Sequence, residues 1–260
     1  MKKRLLVIAS ALAALIVIIV ALVIYNDNFA LAKEDYGKAV TAAQYLLTLQ
    51  KASATSTLAA IAPDASNLKS TNGANTVTLK AQSDLDAYTK AVKQFDSQHA
   101  LHDATVKKSY DTFKTASNAY VTFTSNYIDS TTTVGSATSD CKTAFTTKTT
   151  DTTFQAYVNA ANVCLSALNA KPISDPDLKA FATAYISFIN SSLPIYQKIY
   201  QAQGQSQSEI DAQTALLTPL TDTFTAKSKA ANADITVRYK ALPDYTAAYS
   251  SFLADLNKKV

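Results

Sequence analysis

The chain has 260 residues, a formal net charge of +4 and a hydrophobic content of 48%. Three of its 24 cations are Lys2, Lys3 and Arg4, leaving 21 to face all 20 anions beyond residue 25. That near balance gives no electrostatic argument for a nucleic-acid binder, which asks for a clustered basic stripe, and argues equally little for an acidic substrate.

Residues 5–25 form one uncharged run of 21 residues, apolar except for Ser10. This is about the helix length needed to cross a bilayer core of roughly 30 Å. With Lys2, Lys3 and Arg4 in front of it, the run predicts a signal anchor oriented by its cations. Residues 1–4 are then a cytoplasmic basic stub, 5–25 a transmembrane helix in contact with lipid, and 26–260 an extracytoplasmic domain. Only four residues precede the span, so no cytosolic output domain is expected. The alternative is a secreted protein, cleaved after Ala32 at the A-x-A tripeptide Ala30-Leu31-Ala32. Signal cores usually run about 7–15 residues, so the uncleaved single-pass anchor is the preferred reading.

The exterior part is rich in Thr, Ser, Ala and Asn, lacks Trp, and has only Glu34 and Glu209 as glutamates. Thr and Asp are mediocre helix formers, so helices made from them depend on packing an apolar stripe. The expected fold is all-α: an elongated antiparallel bundle of four to five long helices on the membrane span. Turns are expected at Gly73, Gly135, Gly204 and the Pro172/Pro176 region.

The first helix is predicted over residues 29–62, with Val40, Leu47, Ala54 and Ile61 recurring every seven. The second is predicted over 76–129. There Leu85, Val92, His99, Val106, Phe113, Tyr120 and Tyr127 keep a seven-residue spacing, the mark of a coiled-coil-like helix. Such a helix would reach roughly 75–80 Å. A less regular third helix covers 138–170. The fourth opens at Asp175-Pro176, a cap followed by proline in the first turn, and continues past a kink at Pro194. The fifth opens at Ser206 with Glu209 in capping-box position. Its stripe passes Pro219 and resumes from Leu242 to Leu256 after Pro243, where a separate final helix is an option.

His99 and His102, flanked by Asp96 and Asp103, fall on the seam of the long second helix. Residues three and four apart share a helical face, so zinc or another divalent ion is one reading, given a further ligand from a neighbour. A pH sensor is a second. The favoured reading is structural: core histidines that set helix register, or a break in the helix. Otherwise no cofactor is expected. Cys141 and Cys164 form an even pair in an oxidising compartment and predict a disulfide. On one straight helix they would stand roughly 35 Å apart, so the bond requires the chain to reverse between residues 146 and 153.

No phosphate loop, G-x-S-x-G, H-E-x-x-H or C-x-x-C motif is present, and an enzyme is not expected. The basic N-terminus, single span and hydroxyl-rich exterior resemble small surface proteins of bacteria, a likeness of composition alone. The leading expectation is a membrane-anchored cell-envelope protein, scaffold- or adhesin-like, that binds another protein or itself. The alternatives are a ligand-binding module resembling helical sensory domains, which would signal through a partner membrane protein, and a metal-binding envelope protein using His99 and His102.

Overall fold

The computed structural model describes residues 31–61, 76–147 and 153–260. The apolar run 5–25, its cations Lys2, Lys3 and Arg4, and Gly73 lie outside the described residues. Within them the chain is helical and contains no strand. Seven α-helices are present: α1 (Lys33–Ile61), α2 (Thr76–Phe95), α3 (Ala104–Thr147), α4 (Phe154–Asn169), α5 (Pro176–Ala202), α6 (Gln207–Lys240) and α7 (Tyr245–Asn257). A 3-10 turn at His99–His102 joins α2 to α3. No described helix is long and apolar enough to cross a membrane.

The helix count corrects the expected four or five, and the largest correction is the second helix. It is a hairpin: Tyr88 meets Ser117 at 2.6 Å, and the Phe95 and Tyr110 rings lie 5.0 Å apart, so α2 and α3 run antiparallel. The seven-residue spacing carried across the turn because apolar residues on both arms happen to stay in step. The stop signal was local. Asp103 caps α3, its Oδ1 accepting the backbone N–H of Thr105 and Val106, and an aspartate so placed satisfies donors that a continuous helix would not leave free.

Gly135 is the converse error. It lies inside α3, which continues to Thr147. A mid-helix glycine costs about 1 kcal/mol, but Val134, Ala137 and Cys141 beside it are buried, and that packing outweighs the local preference. The expected third helix is therefore the end of α3 plus α4. Gly204 does mark a turn, at φ 78°, a left-handed conformation that glycine adopts without strain. Helices α5 and α6 run through Pro194 and Pro219.

Two hydrophobic cores lie along α3, which at 44 residues is about 66 Å long. The first lobe packs α1, α2, the first half of α3 and α7. Its centre is aromatic: Phe95, Tyr110, Phe113 and Phe252 are buried and in mutual ring contact. Tyrosine hydroxyls tie α1 to α3 at three levels, Tyr36 to Asp103 (3.0 Å), Ser53 to Tyr120 (2.7 Å) and Tyr127 to the Ala60 carbonyl (2.8 Å). Each pair is 67 residues apart in sequence, so the two helices run parallel in fixed register. This is the use of tyrosine that an apolar seam with Ser and Thr neighbours favours: a buried ring whose polar tip is satisfied. The second lobe packs the end of α3 with α4 and α5, around Ala137, Cys141, Ala161, Cys164, Leu168, Ala182 and Ile189. Helix α6 lies outside against α5, through Phe224 on Phe181, Tyr185 and Phe188.

Candidate functional site

The two histidines stand in the 3-10 turn, not in a buried seam. Ala100 occupies the core there, while His102 is exposed and His99 half-buried. Their rings meet edge to face, 4.8 Å between centroids. His99 Nδ1 lies 3.2 Å from Asp35 Oδ2, and that hydrogen bond, with a second from the Ala32 N–H, holds the Asp35 carboxyl below its usual range. Asp96 accepts from Lys114 (2.7 Å) and Tyr110 (2.9 Å). Asp103 accepts from Lys259 (2.8 Å) as well as Tyr36 and its own helix start. Lys259 is the main reason the Asp103 carboxyl is lowered to about 2. Asp96 thus serves as a strut, and Asp103 as both strut and helix cap. Among the described residues no group of three or more His, Cys, Asp or Glu is arranged to hold a metal.

Cys141 on α3 and Cys164 on α4 are joined by a disulfide. The helices they link are antiparallel, with the Phe145 and Tyr157 rings in tilted contact (5.4 Å) further along the pair. The chain reverses between Thr147 and Phe154, and Thr153 caps α4 by accepting from the Ala156 N–H.

The most heavily built polar site went unread in the sequence. Arg238, near the end of α6, donates from Nη2 to Asp175 Oδ2 (2.5 Å) and from Nε to Asp177 Oδ2 (2.6 Å). Asp175 is 1% exposed and also caps α5 through the N–H groups of Asp177 and Leu178. Ser130 of α3 accepts the N–H groups of Ser174 and Asp175, and the guanidinium lies 5.2 Å from the centre of the Phe123 ring. Three helices from both lobes therefore converge on one ion cluster. The available signal was composition: Arg238 is the single arginine beyond Arg4, and arginine suits a planar two-carboxylate site as lysine does not.

Next to this joint an open groove of about 630 Å³ runs between α5 and α6. Ala180, Ala184, Ala230 and Ala231 line it, with Lys179, Lys227 and Asp234 at its sides. Small residues let another backbone approach closely, and the flanking charges offer both signs. Only Ala231 and Ile235 of the 34 residues of α6 are buried, and Leu216 and Val237 are 50% and 63% exposed. Fold and site together define an all-helical, two-lobed bundle with an ion-paired joint and an outer helix covered on one side. No known protein family, curated protein or solved structure matches the chain.

Proposed function

We propose that this is a membrane-anchored, extracytoplasmic interaction protein of the cell envelope, and that α6 with the α5–α6 groove is the face its protein partner meets. The observation that carries the reading is the outer helix: 34 residues that pack along α5, touch the first lobe only near their end through Ile235 and Tyr239, and leave most of their surface in solvent. The apolar run 5–25 behind Lys2, Lys3 and Arg4 supports the anchor. A disulfide is consistent with an oxidising compartment. Against the ligand-binding alternative stands the shape of the described groove, which is open along its length, whereas small-molecule sites enclose most of their ligand.

Photo-cross-linking in cells from Leu216 and from Val237, with Leu79 on α2 as a control, tests the assignment. A discrete adduct formed from the two α6 positions and not from Leu79 is expected. Recovery of the native chain only as a free monomer, with no adduct from either α6 position, refutes it.

A further inference from the structure

The end of the first lobe nearest the apolar run has an uneven charge. Lys33 opens α1 eight residues after Tyr25, a stretch that reaches at most about 30 Å, whereas α1 itself is about 44 Å long. Resting on the anchored reading above, this places the start of α1, the α2–α3 turn and the end of α7 beside the bilayer.

Residues 33–38, 90–114 and 255–260 hold nine lysines and six carboxylates, while the rest of the chain beyond residue 25 holds 12 cations and 14 anions. Every carboxylate at this end is already engaged. Glu34 pairs with Lys38 (2.7 Å), Asp35 with His99 (3.2 Å) and Asp96 with Lys114 (2.7 Å). Asp103 pairs with Lys259 (2.8 Å), Asp111 with Lys107 (2.7 Å) and Asp255 with Lys258 (2.9 Å). Lys33, Lys90, Lys93 and Lys108 are left, all exposed, on three different helices, and without an acidic partner among the described residues. Nine lysines against six carboxylates at one end, and 12 cations against 14 anions over the rest of the chain beyond residue 25, give the bundle a charge gradient along its length.

We infer that this end is a docking face for the anionic headgroups of phospholipids, and that Lys33, Lys90, Lys93 and Lys108 hold the base of the bundle against the bilayer surface. The attraction acts within a Debye length, roughly 8–10 Å at physiological salt, which a base tethered this closely can reach. Each lysine near an anionic surface strengthens attachment about fivefold. The consequence is a bundle that stands on its membrane in a preferred orientation, presenting α6 away from the lipid.

The chain has no tryptophan, so His102→Trp at the exposed turn supplies one reporter. The full-length protein carrying it is reconstituted into vesicles of phosphatidylcholine alone, or mixed with phosphatidylglycerol, with lipids brominated near the top of the acyl chain as quenchers. Quenching is expected in the anionic vesicles, falling severalfold at high salt. Adding Lys33→Gln, Lys93→Gln and Lys108→Gln together should lower it to the level in neutral lipid. Lys51→Gln, Lys179→Gln and Lys227→Gln, the same loss of charge elsewhere, should leave it unchanged. Equal quenching in both lipids, none in either, or no response to the first triple overturns the docking face. An alkaline carbonate wash reads the anchor separately: release of the chain from the vesicles counts against the anchored reading, whatever the quenching shows.

Discussion

Arg238 Nη2 lies 2.5 Å from Asp175 Oδ2, joining the end of α6 to the capping residue of α5. Asp175 is buried and Arg238 one-third exposed, so the carboxylate bears the greater desolvation. Removing the guanidinium leaves that charge covered and unpaired. Loss of one partner from a buried pair typically costs 3–5 kcal/mol, and the partial exposure of Arg238 lowers the expectation for Arg238→Ala to about 2–3 kcal/mol. Arg238→Lys should recover less than half, because one ammonium cannot reproduce the fork onto Asp175 and Asp177. Urea unfolding followed by circular dichroism measures both; a loss below about 0.5 kcal/mol for the alanine variant would show the cluster to be ornamental.

Gln50 predicts a gain. Its side chain is 2% exposed, yet neither Nε2 nor Oε1 has a hydrogen-bond partner. Burying an amide unpaired costs about 1–3 kcal/mol in mutational series. Gln50→Met, close in volume and apolar, should therefore stabilise the first lobe by about 1 kcal/mol or more. The same urea titration reads it, and destabilisation would mean that the amide is satisfied in solution.

The disulfide closes a loop of 23 residues between α3 and α4. Its removal releases loop entropy worth about 3 kcal/mol in the unfolded chain. The second lobe has the smaller core, so reduction, or Cys141→Ala with Cys164→Ala, should make it melt first. Two transitions in calorimetry are expected where the oxidised chain shows fewer, with the aromatic near-ultraviolet signal of the first lobe surviving the first of them.

Asp103 supplies an acid limb. Its folded pKa of about 2 lies below the ordinary carboxyl value near 3.8. A carboxyl depressed in this way contributes stability that is fully present above its unfolded pKa, and that contribution is lost as pH falls through the folded value. Stability at this end of the bundle should therefore decline between about pH 4 and pH 2. Lys259→Gln removes the largest cause, so the Asp103 carboxyl resonance should titrate closer to its ordinary value in NMR. An unchanged titration would assign the depression to the helix-cap N–H groups instead.

How far the sequence could be read depended on the range of each signal. The starts of α5 and α6 were legible because Asp175-Pro176 and Ser206 act on N–H groups two or three residues away. The need for a reversal between Cys141 and Cys164 followed from the rise per residue of a helix and the reach of a disulfide. The α2–α3 hairpin was read as one helix, with a break at His99 and His102 only as an option, because a seven-residue apolar repeat records which face is buried, not the direction of the chain. Asp103 carried the local contradiction, and the periodicity on either side obscured it.

Charge balance, helical class, the apolar N-terminal run and several helix starts are properties of neighbouring residues, so the sequence alone determined them. The parallel register of α1 on α3, the division into two lobes and the meeting of Arg238 with Asp175 needed the tertiary structure. They join groups more than 60 residues apart, and which of many lysines, tyrosines and aspartates meet is decided by side-chain packing. Gly135 shows the same rule in reverse: its local preference for a turn is worth about 1 kcal/mol, and the buried face of α3 on α4 is worth more.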